Sequence, residues 1–117
     1  DLRIKSLQNV SGMTGVQYSL AANTALSIVP TKSFGLMVLT SATSLLQVLV
    51  AYRTTAATSC VCIGTEPSNF TALNTDGTLT GLTGVATDFT VRVNSADGKM
   101  YFENQRGGVV NFNVTFI

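Results

Sequence analysis

Histidine is absent from this 117-residue chain. That alone rules out a Ser-His-Asp or Cys-His catalytic device within it, and it leaves a transition-metal site short of ligands. Charge is scarce as well: 11% of residues are charged and the net charge is +1. The cations Arg3, Lys5, Lys32, Arg53, Arg92, Lys99 and Arg106 are scattered. Nowhere do they reach the density that neutralises a run of phosphates, so no nucleic-acid partner is expected. Electrostatic steering is not expected to dominate recognition. There is no long apolar run either. The greasiest region, Phe34 to Tyr52, is broken by Thr40-Ser-Ala-Thr-Ser44 and by Gln47, whereas a spanning helix needs about 20 mostly apolar residues in a row. No membrane insertion is expected, and no basic and apolar leader pattern is visible. The chain opens on Asp1 rather than Met, as a processed chain or an excised fragment would.

Only two cysteines occur, as Cys60-Val-Cys62. On a strand they point to one face, about 7 Å apart along the chain, a spacing poorly suited to a disulfide. We expect two free thiols acting as small hydrophobes, which favours synthesis in a reducing cytosol.

What is present is apolar and alternating. Hydrophobic residues make up 45% of the chain, enough for one domain with one core. Such a composition at low charge suits a β-rich domain that hides apolar surface in a core and also against partner chains. The clearest stretch is Asp88 to Ile117. Phe89, Val91 and Val93 alternate with Thr90 and Arg92, and Val110, Phe112, Val114 and Phe116 alternate with Asn111, Asn113 and Thr115. A period of two marks a half-buried strand. Asp97-Gly98 suits a hairpin turn and Gly107-Gly108 a second reversal, so a C-terminal meander of three strands is expected.

Upstream, Asp1 to Leu7 alternates as an edge strand or the end of a neck spanning residues 1–15, and 11–15 reads as a loop. Gln17 to Leu20 and Ala25 to Val29 read as short strands around a turn at 21–24. Phe34 to Thr40 is apolar on both faces, the signature of a strand covered on both sides, by a core and a partner subunit among other arrangements. Polar residues 41–45 precede Leu46 to Arg53, where Leu46, Val48, Val50 and Tyr52 share a face. A helix over Ala42 to Tyr52 competes there. The β-branched and aromatic residues favour the strand, and no cap or glycine stop frames a helix. After a loop at 54–58, Ser59 to Ile63 and Phe70 to Leu73 read as further strands, Asn74-Thr-Asp-Gly77 as a turn, and Thr78 to Gly84 as an irregular crossing segment. Short strands at this spacing predict one all-β domain, an antiparallel β-sandwich or jelly-roll-like barrel.

No catalytic motif appears: no nucleophile elbow, Walker loop or dinucleotide fingerprint, and no carboxylate pair placed for glycoside cleavage. Asp76 and Asp97 precede glycines, where turn chemistry accounts for them. Glu103 falls on a polar strand face and is expected to be solvated. Asn9, Asn69 and Asn113 each head an Asn-x-Ser/Thr triplet, which matters only in a secretory pathway. Sugar recognition calls for an aromatic platform with amide, carboxylate or guanidinium partners. Tyr101, Glu103, Asn104, Gln105 and Arg106 offer these types close together, with Tyr101 facing away from Met100 and Phe102. Tyr52 and Arg53 form a second such pair. An ordinary polar strand and hairpin account for the same residues. No cofactor or metal is expected.

The ending from Val93 to Ile117, with its Gly98-Lys-Met-Tyr-Phe-Glu-Asn104 strand, Gly107-Gly108 turn and final Val/Thr/Ile strand, resembles the C-termini of many bacteriophage tail-fibre and receptor-binding proteins. The alternation in Leu36-Met-Val-Leu39, Val48-Leu-Val-Ala-Tyr52 and Val61-Cys-Ile-Gly64 looks like their jelly-roll-type heads. The resemblance covers about the last two thirds of the chain. It implies a homotrimer at the virion tail tip that binds a host-surface saccharide, assembled in the host cytoplasm. Two other readings stand beside it. One is a structural virion module that only assembles or caps a trimer. The other is a secreted carbohydrate-binding or adhesin domain, for which calcium dependence through Asp76, Asp88 or Asp97 would speak.

Overall fold

Period-two alternation puts one apolar row on each strand, and two such sheets bury their rows by stacking face to face. The computed structural model describes residues 15–42, 46–55 and 57–117. The edge-strand or neck reading of residues 1–15 and the Asn9 triplet lie outside that range, save for Gly15, and so do 11–14 of the first loop, 43–45 of the polar break and residue 56 of the 54–58 loop.

Among the described residues nine strands run β1 (Val16–Leu20), β2 (Thr24–Ile28), β3 (Phe34–Thr40), β4 (Gln47–Arg53), β5 (Ser59–Ile63), β6 (Phe70–Ala72), β7 (Phe89–Asn94), β8 (Lys99–Asn104) and β9 (Val110–Phe116). They form a five-stranded sheet in the order β1-β9-β3-β4-β5 and a four-stranded sheet in the order β2-β8-β7-β6. The fold is an all-β sandwich of two open sheets, not a closed barrel. Each strand expected from Gln17 onward is present to within a residue or so at its ends. Val48, Val50 and Tyr52 of β4 all point into the core, which decides the contest between strand and helix there. Among the described residues no helix is long and apolar enough to cross a membrane.

The core lies between the sheets. Met37, Leu39, Val50 and Phe112 from the larger sheet meet Phe89, Val91, Val93, Met100 and Phe102 from the smaller, all essentially without solvent contact. The Phe112 ring stands edge-on to Phe89 at 5.0 Å between centroids and lies 5.6 Å from Phe102. Aromatic contacts of this kind add about 0.5–1.5 kcal/mol beyond the area they bury.

Two features depart from expectation. The C-terminal strands do not form one meander. β7 and β8 make the hairpin, with Gly98 in the left-handed region at φ +69. β9 then crosses to the other sheet and pairs with β1 and β3, while β2 takes the remaining edge of β8. Only from the opposite layer can Phe112 face Phe89 and Phe102. Asn104 ties the two crossing corners together. Its side-chain amide donates to the carbonyls of Leu20 and Gly108, its side-chain oxygen accepts the Arg106 N–H at 2.9 Å, and its carbonyl accepts the Asn23 N–H. The second departure is the parallel pairing of β6 with β7. A parallel pair needs a long crossover, and residues 73–88 supply it.

Candidate functional site

The crossover covers the outer face of the smaller sheet. By alternation Thr90 and Arg92 of β7 and Glu103 of β8 point outward, opposite the core residues, and each is spent on holding the crossover down. The Arg92 guanidinium donates to three carbonyls, those of Thr75, Asp76 and Thr78, at 3.0–3.1 Å. The Thr90 hydroxyl accepts the Val85 N–H. Leu79 is buried in the crossover.

Glu103 is the strongest of these anchors. One carboxylate oxygen accepts the N–H groups of Gly81 and Thr83 at 2.9 and 3.0 Å, and the other accepts Gly84 N–H at 2.7 Å and the Gln105 amide at 2.8 Å. The expectation that Glu103 is solvated is therefore overturned: it is fully buried. Alternation assigns its face correctly, but it cannot tell that a distant Gly- and Thr-rich segment lies on that face. A side chain at position 84 would run into the carboxylate, so glycine is required for the close approach. Burial by itself raises the Glu103 carboxyl, but the hydrogen bonds from Gln105, Gly81, Thr83 and Gly84 outweigh it and hold the group below the usual glutamate range.

The other candidates for ligand contact are dispersed. Asn104 is buried at the corner described above. Tyr52 is buried, and its hydroxyl donates to the Lys32 carbonyl at 3.2 Å. Arg106 reaches back to the carbonyls of Asn69 and Ser68 at 3.0 and 2.9 Å. Burial lowers its pKa, opposed by the charge of Asp88. Tyr101 is half-buried and donates to the Asp97 carboxylate at the hairpin, a bond that raises its pKa, with burial second. Arg53 is exposed at the end of β4. Strand β8 separates Tyr101 at its hairpin end from Arg106 beyond its other end, and the buried pair Glu103 and Asn104 lies between them. The acids considered for calcium are likewise spread out. Asp76 accepts from Ser95, Asp88 from Thr71 and Asp97 from Lys99. Among the described residues no three or more His, Cys, Asp or Glu groups converge on a metal position.

The outer face of the five-stranded sheet is different, because nothing in the described chain lies over it. Residues opposite one another across antiparallel strands point to the same side, so the register defines its rows. Leu36, Ala51 and Val61 form one row, and Val38, Leu49 and Ile63 the next. Leu36 is 37% exposed, Val61 40% and Ile63 51%, with Phe34 at 65% beside them. Toward β1 the same face turns polar. Gln17, Asn113, Thr40 and Gln47 are paired across β1, β9, β3 and β4, and Ser19 pairs with Asn111 in the next row. These two zones are what attention to Tyr101 and Arg106 misses. Their signals were in the sequence: the double apolar face of 34–40, and the Asn111, Asn113, Thr115 alternation in the final strand.

On β5, Cys60 and Cys62 are free and share the inward face. Cys60 is buried and its thiol donates to the Val91 carbonyl at 3.5 Å.

No protein-family model, curated protein or solved structure matches this chain.

Proposed function

We propose that this domain is the noncatalytic receptor-binding head of a phage tail fibre or spike, assembled as a homotrimer that recognises a host-surface saccharide. The observation that supports this reading is the uncovered apolar area on the larger sheet: Leu36, Ala51 and Val61 beside Val38, Leu49 and Ile63. The smaller sheet's outer face is covered by residues 73–85 of the same chain, whereas among the described residues nothing covers this one. Contiguous exposed apolar patches of this kind mark association sites. The zone holds no charge apart from Arg53 at its border, so copies of the chain can meet there without repulsion. A trimer presents three ligand sites to one cell surface and converts weak contacts into firm attachment. The two free thiols suit assembly in a reducing compartment before release.

A second reading, a structural module that only assembles or caps a fibre, is favoured by one observation. Tyr52, Glu103 and Asn104 have their polar groups engaged inside the domain. Sedimentation and cell binding separate the two. A mass of three chains together with adhesion to host cells is expected. A monomeric mass overturns the trimer. A trimer that adheres to no host strain overturns the receptor-binding reading in favour of the structural module.

A further inference from the structure

The geometry points to a cleft for a neutral, polyhydroxylated ligand of about one sugar ring, at the polar end of the larger sheet's outer face. This inference rests on the receptor-binding reading above and locates its ligand. The cleft has a volume of about 190 Å³ and is lined by Gln17, Thr40, Ser41, Asn111 and Asn113, together with Ala42 and the buried Phe112 between the two asparagines. Asn113 sits at its centre by register, paired with Gln17 on one side and Thr40 on the other. The Ser41 hydroxyl donates to the Asn111 carbonyl at 2.5 Å and fixes the end of β3 against β9. Among the described residues no hydrogen bond engages the side-chain amides of Gln17, Asn111 or Asn113, all three of which are exposed.

Three primary amides present three acceptor oxygens and six N–H donors. Sugar hydroxyls both give and accept hydrogen bonds, so they match that mixture on every side. An anion finds no cation among the lining residues, and a cation finds no carboxylate. Either would exchange hydration for neutral amide dipoles alone, with no opposite charge to offset its desolvation. The volume is below the roughly 300–1,000 Å³ of pockets for drug-sized ligands, which limits the occupant to a single ring. No exposed aromatic platform lines the cleft, so one site binds weakly, in the millimolar range, and attachment depends on several sites acting together. Thr40 and Asn113 border the row that contains Thr115 and Val38. A second copy laid over the apolar rows therefore ends beside the cleft and leaves its polar side open.

The test titrates the isotopically labelled full chain with millimolar glucose, galactose, mannose and N-acetylglucosamine, with inorganic phosphate as the charged comparison. At least one sugar is expected to shift the side-chain amide resonances of Gln17, Asn111 and Asn113, and phosphate is expected to leave them in place. Asn113→Ala and Gln17→Ala are each expected to weaken that response by about tenfold, the loss of one good hydrogen bond. Both side chains are exposed, so the backbone spectrum should otherwise stay unchanged. No shift with any of the four sugars, shifts confined to another surface, or a response to phosphate alone would overturn the cleft. Host-cell adhesion of the wild type and of Asn113→Ala distinguishes the two failures. Adhesion indifferent to Asn113→Ala removes the cleft and leaves the binding head. Sugar shifts at the cleft without adhesion to any host strain remove the binding head and leave the cleft.

Discussion

Glu103 holds Gly84 from beneath, the Gly84 N–H donating to its carboxylate at 2.7 Å while Gly81 and Thr83 converge on the other oxygen. One buried side chain on β8 thus fixes three main-chain donors of a segment about twenty residues earlier. Glu103→Ala leaves those donors without an acceptor inside the domain. Leaving a buried donor unpaired costs about 1–3 kcal/mol, and relaxation of the crossover recovers part of the total. We expect Glu103→Ala to lower the unfolding free energy by about 3 kcal/mol in a urea titration, with Glu103→Gln intermediate. A loss below about 0.5 kcal/mol, the usual range for plain surface changes, would show that the crossover is held elsewhere.

The same carboxylate makes stability depend on acid. An unfolded glutamate titrates near about 4.3, and in the folded domain Glu103 is held lower. The unfolded chain therefore takes up the proton first. The stabilisation is whole above about pH 4.3 and declines as the pH falls through the lower folded value. Melting temperature measured against pH should fall less steeply on the acid side for Glu103→Gln than for the wild type. Asp76, held low first by the Ser95 hydroxyl and then by the Ser95 N–H, is exposed and should keep a smaller slope in both. Parallel acid limbs would mean that Glu103 does not govern the transition.

The two thiols should react at different rates. Burial, then the neighbouring Cys62 and Glu66, push the Cys60 thiol up to about 12, so almost none is thiolate at neutral pH. Cys62 is raised as well, by burial and by Glu66, but is only half-buried. Iodoacetamide followed by mass spectrometry should label Cys62 first and Cys60 only as the domain unfolds. Equal rates under native conditions would show that β5 opens readily.

Charge placed on the bare rows should prevent copies from meeting. Leu36 and Val61 flank Ala51 in one row, and both are partly exposed, so Leu36→Glu with Val61→Glu need not disturb the core. Sedimentation should report the mass of a single chain, with a melting temperature within a few degrees of the unassembled wild type. An unchanged oligomeric mass would place the contact between copies on another surface.

Most of the strands were legible because alternation is a local signal. Val48, Val50 and Tyr52 announce β4, and Phe112 and Val114 announce β9, without reference to any other part of the chain. Which strands become neighbours is not local. The Gly107-Gly108 turn looks the same whether β9 continues a meander or crosses to the other layer, and the crossing depends on Asn104 binding carbonyls as distant as that of Leu20. The misreading of Glu103 has the same origin, since its partners lie about twenty residues away and are main-chain N–H groups, which carry no residue-type signature. The grouping of Tyr101, Glu103, Asn104 and Arg106 followed closeness in sequence, whereas the cleft joins Gln17 to Asn113 across strand pairing that only the fold reveals.

The Glu103 anchor works on the backbone of 81–84 and asks little of the side chains it carries. Leu82 is exposed and takes no part in the hold, and the Thr83 side chain adds only a long contact of 3.5 Å. The outward lettering of this cover is therefore free to drift, provided the glycines at 81 and 84 and the acid beneath them stay. A domain built in this way can renew one of its surfaces while the sandwich under it keeps its shape.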